Sequence, residues 1–388
     1  MQGRHHGGVL RRLISMLIIE IAVACGALPP GPTSSAVGGS AVPSSSVASA
    51  PQLLRVAFAN GDLGVVAGRG VIERTTDGGT RWLSAYRGPA TIWSLQWLDL
   101  GHVFAASDLG LLASDDGGST WRSSGEQRVL LQVRMLTEAS GFAITGTVRE
   151  GSGWLPLNVA IAGRELMRTT DGGLHWSTVS TGLSIVQTVS FMNTTVGWVA
   201  GPEGIAVSRD AGASWTWQLR LPPETYATAA GVTWGGQLAM FDAQHGFALY
   251  RSVDTSLSKS GRDVYYTEDG GAQWRLQSAT VRRSWAPTAA TNSGGGADGP
   301  LVVTGELSAE QVSGNVAAPE TYLLASADAG RTWTARTIPF AGTGVGDLAV
   351  SGQTRWVALT DGSLAVGGAR RTAILRSDDA GVSWRILR

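Results

Sequence analysis

The sequence predicts an all-β fold, a single seven-bladed β-propeller of four-stranded antiparallel blades, and three observations carry that reading. An eight-residue motif recurs seven times; glycine and tryptophan are abundant, with 53 and 15 of 388 residues, while charged residues make up only 15%. No stretch of ten or more residues beyond the N-terminal leader has helical periodicity. Short strands joined by tight turns need this composition, and one repeat architecture accounts for a length otherwise read as two or three domains. Hydrophobic residues, at 43%, suffice for a sizeable core.

The motif reads Ser/Thr-x-Asp-Gly/Ala-Gly-x-x-Trp. It occurs at Thr75–Trp82, Ser114–Trp121, Thr169–Trp176, Ser208–Trp215, Thr267–Trp274, Ser326–Trp333 and Ser377–Trp384. Its aspartates, Asp77, Asp116, Asp171, Asp210, Asp269, Asp328 and Asp379, lie 39, 55, 39, 59, 59 and 51 residues apart, the spacing of propeller blades. The chemistry is that of a turn. An Asp oxygen accepts from nearby backbone N–H groups, the glycine two residues on takes positive φ, and the hydroxyl adds a second local bond. The tryptophan then packs over the hairpin. These aspartates are therefore read as structural and not as a catalytic array. Around each box one strand order recurs, clearest as Val186–Phe191 (A), Gly197–Ala200 (B), Gly204–Arg209 (C) and Ser214–Leu219 (D), with the box as the C–D hairpin. The first blade starts on an A strand near Leu54 and the last ends on a D strand at Ser383–Leu387, so the ring is expected to close without exchanging a strand.

Ahead of the propeller, residues 1–24 read as a signal peptide. Arg11 and Arg12 precede Leu13–Ala24, twelve mostly apolar residues, too short to span a bilayer core of about 30 Å. The run Ala22-Val23-Ala24-Cys25-Gly26 offers two processing routes: simple cleavage, or lipidation of Cys25 as in a bacterial lipobox. Lipidation is preferred because the sole cysteine of the chain falls at this place, although Ala22 stands where a lipobox usually has Leu and Glu20 interrupts the apolar run. Residues 25–51 continue with Pro29, Pro30, Pro32, Pro43 and Pro51 among Ser, Ala and Gly, a flexible tether, and the propeller occupies residues 52–388. The expected location is extracytoplasmic, held to the cell membrane by an N-terminal lipid or secreted.

Formal charge is zero, from 30 basic and 30 acidic residues; leaving out Arg4, Arg11, Arg12 and Glu20 leaves 27 and 29 in the body. Such a balance gives no attraction to phosphate, so nucleic acid is not expected as a partner. A single cysteine excludes an intramolecular disulfide, and the five histidines show no ligand spacing in the body, so neither metal nor cofactor is expected. There is no Gly-x-Ser-x-Gly elbow, and Ser293–Gly296 lacks the following Lys and helix of a phosphate loop.

The repeats resemble the Asp-box (BNR) repeats of sialidase-like propellers. Gly197-Trp198-Val199-Ala200-Gly201 followed by Gly204-Ile205-Ala206-Val207-Ser208-Arg209-Asp210 is similar to the photosystem II stability and assembly factor-like branch, whose blades read Gly-Trp-x-x-Gly, Gly-x-Ile and then the box. Gly64-Val65-Val66-Ala67-Gly68 with Val71–Asp77 repeats the pattern, and the resemblance covers about residues 52–388. It implies a non-enzymatic assembly factor, often lipid-anchored, that binds a protein partner such as a membrane complex. The alternative is a carbohydrate-active propeller, a glycosidase or glycan-binding protein, since sialidases and xyloglucanases carry the same boxes away from their chemistry. A sialidase clamps its substrate carboxylate with three arginines, the first in a Phe/Tyr-Arg-Ile-Pro segment. The nearest match, Leu54-Arg55-Val56-Ala57, lacks the aromatic and the proline. Xyloglucanase-like enzymes set two acids across a cleft between two propellers, and this chain has room for one. No catalytic residue is assigned.

Boxes on C–D turns would share a face with the A–B loops. The opposite face would carry the longer inserts, Val148–Leu155, Arg220–Trp234, Asp254–Asp263, Val281–Gly299 and Glu306–Glu320. The candidate binding face is therefore Arg149, Glu150, Trp154, Arg220, Tyr226, Trp234, Arg282, Arg283 and Trp285, where Trp and Arg are favoured interface anchors. Trp198 and Trp356 fall in B strands and are expected in the core. Trp93 and Trp97, at even spacing in an A strand, are expected to share one packed face.

Overall fold

Runs such as Gly197–Gly201 and Gly204–Ser208 are apolar or small at nearly every position, the pattern of strands covered on both faces. The computed structural model describes residues 53–150, 159–222, 235–240, 242–254, 259–276, 285–292, 301–307, 320–326, 334–339, 343–361 and 372–388. All belong to one compact unit, Ser49–Arg388. Cys25 and the tether residues up to 51 lie outside the described residues, as do Asp328, Trp154, Tyr226, Trp234, Arg282 and Arg283.

The strands are antiparallel throughout and run in sequence order across each sheet. The first sheet holds β1 (Leu53–Phe58), β2 (Gly64–Thr75), β3 (Leu83–Trp97), β4 (Val103–Ser107), β5 (Gly110–Ser114) and β6 (Arg122–Ser124). Five four-stranded sheets follow. They are β7 (Leu130–Met135) to β10 (Ser177–Val179) through β8 (Gly141–Glu150) and β9 (Val159–Thr169), then β11 (Thr188–Phe191), β12 (Gly197–Gly201), β13 (Gly204–Ser208) and β14 (Thr216–Arg220). Next come β15 (Gly235–Met240), β16 (Gly246–Asp254), β17 (Lys259–Thr267) and β18 (Arg275–Leu276), then β19 (Trp285–Asn292), β20 (Leu301–Leu307), β21 (Glu320–Ser326) and β22 (Thr334–Ile338). The last sheet is β23 (Thr343–Ser351), β24 (Thr354–Asp361), β25 (Thr372–Ser377) and β26 (Arg385–Ile386).

This differs from seven separate four-stranded sheets. The 15-residue β3 pairs with β2 through Leu83–Thr91 and with β4 through Ile92–Trp97, so one continuous strand joins the first two repeats. Within β2 the pairing partner changes from β1 to β3 around Gly70, whose φ of +73° is the left-handed conformation of a tight turn. The first strands of the repeats contact one another in a closed cycle, β1–β3–β7–β11–β15–β19–β23–β1.

Each first strand also carries a β-bulge at its start. The register slips at residues 54, 93, 131, 236, 288 and 346. In the fourth repeat, Gln187 N–H donates to Ala200 O while Thr188 also opposes Ala200. The bulge corrects one expectation. Trp93 is the extra residue, so Ile92, 3% exposed, takes the core position beside Leu95 and Trp97 that Trp93 would otherwise hold.

The core lies between sheets. Six apolar clusters each bridge neighbouring repeats, and each contains one of the described box tryptophans: Trp82, Trp121, Trp176, Trp215, Trp274 and Trp384. Trp198 and Trp356 are fully buried, as expected of B-strand residues. First and last repeats meet without strand exchange. Phe58 stacks on Trp356 at 3.8 Å, Leu53 N–H donates to Thr372 Oγ1 at 3.2 Å, and Arg388 pairs with the buried Glu73.

Candidate binding surface

The six described boxes share one set of bonds. The hydroxyl of Thr75, Ser114, Thr169, Ser208, Thr267 or Ser377 donates to the Asp two residues on at 2.8–2.9 Å. The same Asp oxygen accepts the backbone N–H four residues beyond it at 2.8–3.0 Å. The hydroxyl in turn accepts the N–H of the second glycine at 2.7–2.9 Å. Donors concentrated on a carboxylate favour its charged form. The Thr120 N–H holds Asp116 at about 2, the His175 N–H holds Asp171 at about 2, and the Ser214 hydroxyl holds Asp210 at about 2. Asp77, Asp269 and Asp379 are depressed by the same kind of bond.

Boxes and A–B turns do share a face. The N–H after each described box aspartate donates to an A–B turn carbonyl of its own repeat: Gly78 to Asp62, Gly117 to Gly101, Gly172 to Ala139, Ala211 to Thr195, Gly270 to Gln244 and Ala380 to Gln353, all at 2.7–2.9 Å. The carbonyl of that same residue accepts from the preceding repeat in four boxes. Arg376 and Trp356 donate to Gly78 O, Arg74 to Gly117 O, Ser124 to Gly172 O and Gln218 to Gly270 O. The boxes thus stitch neighbouring repeats together.

A second set of bonds, not foreseen in the sequence, runs along the inner strands. An innermost strand has one unpaired edge whose backbone groups need partners. Side chains supply them, mostly from each repeat to the next, with Trp97 Nε1 donating back to Ala57 O at 3.2 Å. Asp347 accepts Val56 N–H, Arg55 donates to Trp93 O, and Ser94 accepts Val133 N–H. Gln96 both donates to Met135 O at 2.8 Å and accepts Met135 N–H at 2.6 Å. Gln132 accepts Val189 N–H, Arg134 donates to Phe191 O, and Ser190 accepts Met240 N–H. Arg55, the nearest match to a substrate-carboxylate clamp, is engaged here. Burial lowers its pKa and raises that of Asp347, and each opposes the shift in the other.

The proposed binding-face residues fall as follows. Arg149 and Glu150 extend β8 and pair with Ala160 and Val159, while Asp254 pairs with Lys259. Val148–Glu150, and Asp254 with Lys259–Asp263 of the next insert, thus continue B–C strand pairs. Trp285 opens strand β19, opposite Leu307, and does not lie in a connection. Arg220 ends β14, exposed, its guanidinium 4.5 Å above the Trp217 ring. Beside it, Val207, Arg209, Asp210, Ser214, Thr216 and Gln218 line a groove of about 340 Å³. Among the described residues no group of three His, Cys, Asp or Glu side chains is placed to hold a metal ion.

No family model matches the chain, and no curated protein matches it. Solved structures do. YCF48 bound to a D1 peptide matches at 13% identity and a TM-score of 0.53, over 81% of this chain and 91% of that one. The GH74 xyloglucanase from Xanthomonas campestris matches at 15% identity and a TM-score of 0.52, over 76% of this chain; the match spans only 45% of that enzyme. At these identities the likeness establishes the fold: this chain is an all-β propeller built of four-stranded antiparallel blades.

Proposed function

We propose that this chain is an exported, lipid-anchored propeller of seven blades that binds a protein partner and catalyses no reaction itself. The observation that carries the reading is the use of the box aspartates. Each described one spends its carboxylate on its own turn and is held in the ionised form, which suits a structural acceptor and not a general acid. The YCF48 structure, which holds a D1 peptide, supports a peptide-binding role for a propeller of this size. The count of seven blades is supported by the six-stranded sheet, which carries two boxes and contributes two strands to the inner cycle, as two blades divided within β3 would. Anchoring rests on Cys25 and its leader.

The likeness to a GH74 enzyme supports a second reading, carbohydrate binding or cleavage. One experiment separates them: a pull-down from detergent-solubilised membranes with the native leader, beside a Cys25→Ala control. Recovery of one membrane complex, with the control lost from the membrane fraction, is the expected result. Recovery of no protein, together with retention of the pure chain on polysaccharide columns, overturns it.

A further inference from the structure

The second position of the box has a recurring use across the C–D hairpin. Asp115 pairs with Arg122 at 2.7 Å, Glu268 with Arg275 at 3.8 Å, and Asp378 with Arg385 at 3.4 Å. In each case an acid at this position meets an arginine seven residues on, at the start of the outer strand. The fourth box inverts the pattern. Arg209 stands where the acid stands elsewhere, and Thr216 stands where the arginine would be. Arg209 is exposed and has no carboxylate partner among the described residues.

Arg209 also borders the 340 Å³ groove, with Ser214, Thr216 and Gln218. The groove floor is fixed. Gln218 accepts from Trp198 Nε1 at 2.9 Å and donates to Gly270 O at 2.9 Å, so its amide cannot swing to satisfy a free arginine. Asp210 lines the groove too, but its oxygens are occupied by the Ser208 hydroxyl and by the Ser214 hydroxyl and N–H. At the other end of β14, Arg220 lies over the Trp217 ring and likewise has no carboxylate partner among the described residues. Among the described strands β14 is the outermost of its sheet, with no strand paired to its outer edge, and at roughly 3.4 Å per residue its five residues extend about 17 Å.

We infer that the outer edge of β14 is a docking site for an acidic peptide segment in extended conformation, its carboxylates meeting Arg209 in the groove and Arg220 beyond it. Charge complementarity names the partner, since the position that is acidic and neutralised in three other boxes is here basic and unpaired. An extended segment fits an open strand edge, whose backbone groups can pair with it. The inference rests on the protein-partner reading and locates its contact.

The test is fluorescence polarisation of the full mature chain with a labelled octapeptide of alternating Glu and Val, beside a Lys-Val counterpart. The Glu-Val peptide is expected to bind with an affinity that falls as salt rises, and the Lys-Val peptide not to compete. R209Q and R220Q should each weaken binding by about threefold to fivefold, the scale of one exposed ion pair, and the double variant by about tenfold or more. R122Q, which breaks an ion pair of the same geometry elsewhere, should leave binding unchanged. Circular dichroism and thermal melts establish that the variants fold. Failure of the Glu-Val peptide to bind, equal binding by the double variant, or polygalacturonate binding that alone depends on the two arginines overturns the proposal. If the double variant still recovers the membrane partner in the pull-down, the partner reading stands and this surface falls.

Discussion

Replacing Gln96 by leucine tests whether the inner-strand bonds hold the ring together. Gln96 satisfies both backbone groups of Met135, a residue 1% exposed, on the next first strand. Leucine removes both partners while keeping most of the volume. Leaving a buried N–H or C=O unsatisfied costs about 1–3 kcal/mol, so two cost about 2–6 kcal/mol. The extra apolar surface of leucine returns roughly 1 kcal/mol, and a net loss of about 1–5 kcal/mol is expected. Glutamate makes a sharper variant. As a carboxylate it still accepts Met135 N–H but sets a negative oxygen against Met135 O. Protonated, it donates to that carbonyl and restores the wild-type pattern. Its folded-state pKa is therefore raised, and the penalty is full above that pKa and fades as pH falls through it. The assay is equilibrium urea unfolding followed by tryptophan fluorescence, at pH 7 and pH 5. A leucine variant within about 0.5 kcal/mol of wild type, the scale of an ordinary surface change, would refute the reasoning. So would a glutamate penalty that is the same at both pH values.

Three further outcomes are expected. Ala211 and Ala380 take the position that is glycine in the other described boxes, and both sit at φ +57°. Relief of left-handed strain, worth about 1–2 kcal/mol, should outweigh the extra unfolded-state entropy of glycine, so Ala211→Gly and Ala380→Gly should each stabilise by about 0.5–1 kcal/mol in urea midpoints. Gly204→Ala should cost more than about 2 kcal/mol, because its Cβ would lie 2.0 Å from Leu219 O at φ +136°, whereas Gly61→Ala, with nothing within 4 Å, should be nearly neutral. The box aspartates have folded pKa values below the usual value of about 4, so their contribution is present above pH 4 and is lost as pH falls toward about 2. Asp210→Asn should make that acid limb shallower, read as the urea midpoint between pH 5 and pH 2.

What the sequence disclosed depended on how local the chemistry is. A box spends its hydroxyl, carboxylate and glycines within eight residues, so Thr75, Asp77 and Gly79 announce their roles by spacing alone, and the described boxes keep that geometry. The shared face of boxes and A–B turns followed from the same hairpin logic. Gln96 and Arg134 gave no such signal, because their backbone partners lie 39 and 57 residues away on the next repeat. Even spacing misled at Trp93 because a bulge adds one residue without leaving a mark in the hydrophobic pattern. At the candidate site, Arg220 was legible as an exposed cation. Arg209 was not, because its meaning depends on the acid–arginine pair that other boxes form across the hairpin.

The inner bonds also bear on how the ring finds its closure. Successive repeats are joined by the chain, so a neutral cap such as Gln96 or Ser94 needs only to satisfy an edge that connectivity has already brought near. The last and first repeats have no such help. There the capping residue is Asp347, which takes Val56 N–H and stands close enough to Arg55 for each to offset the other's burial. Arg55 then passes the pattern on by donating to Trp93 O. A buried pair of opposite charges adds little net stability over an apolar one, yet mispairing either member leaves an uncompensated charge. Wrong closure would therefore strand both members of an opposite-charge pair, at a junction of the inner cycle that covalent connection does not enforce.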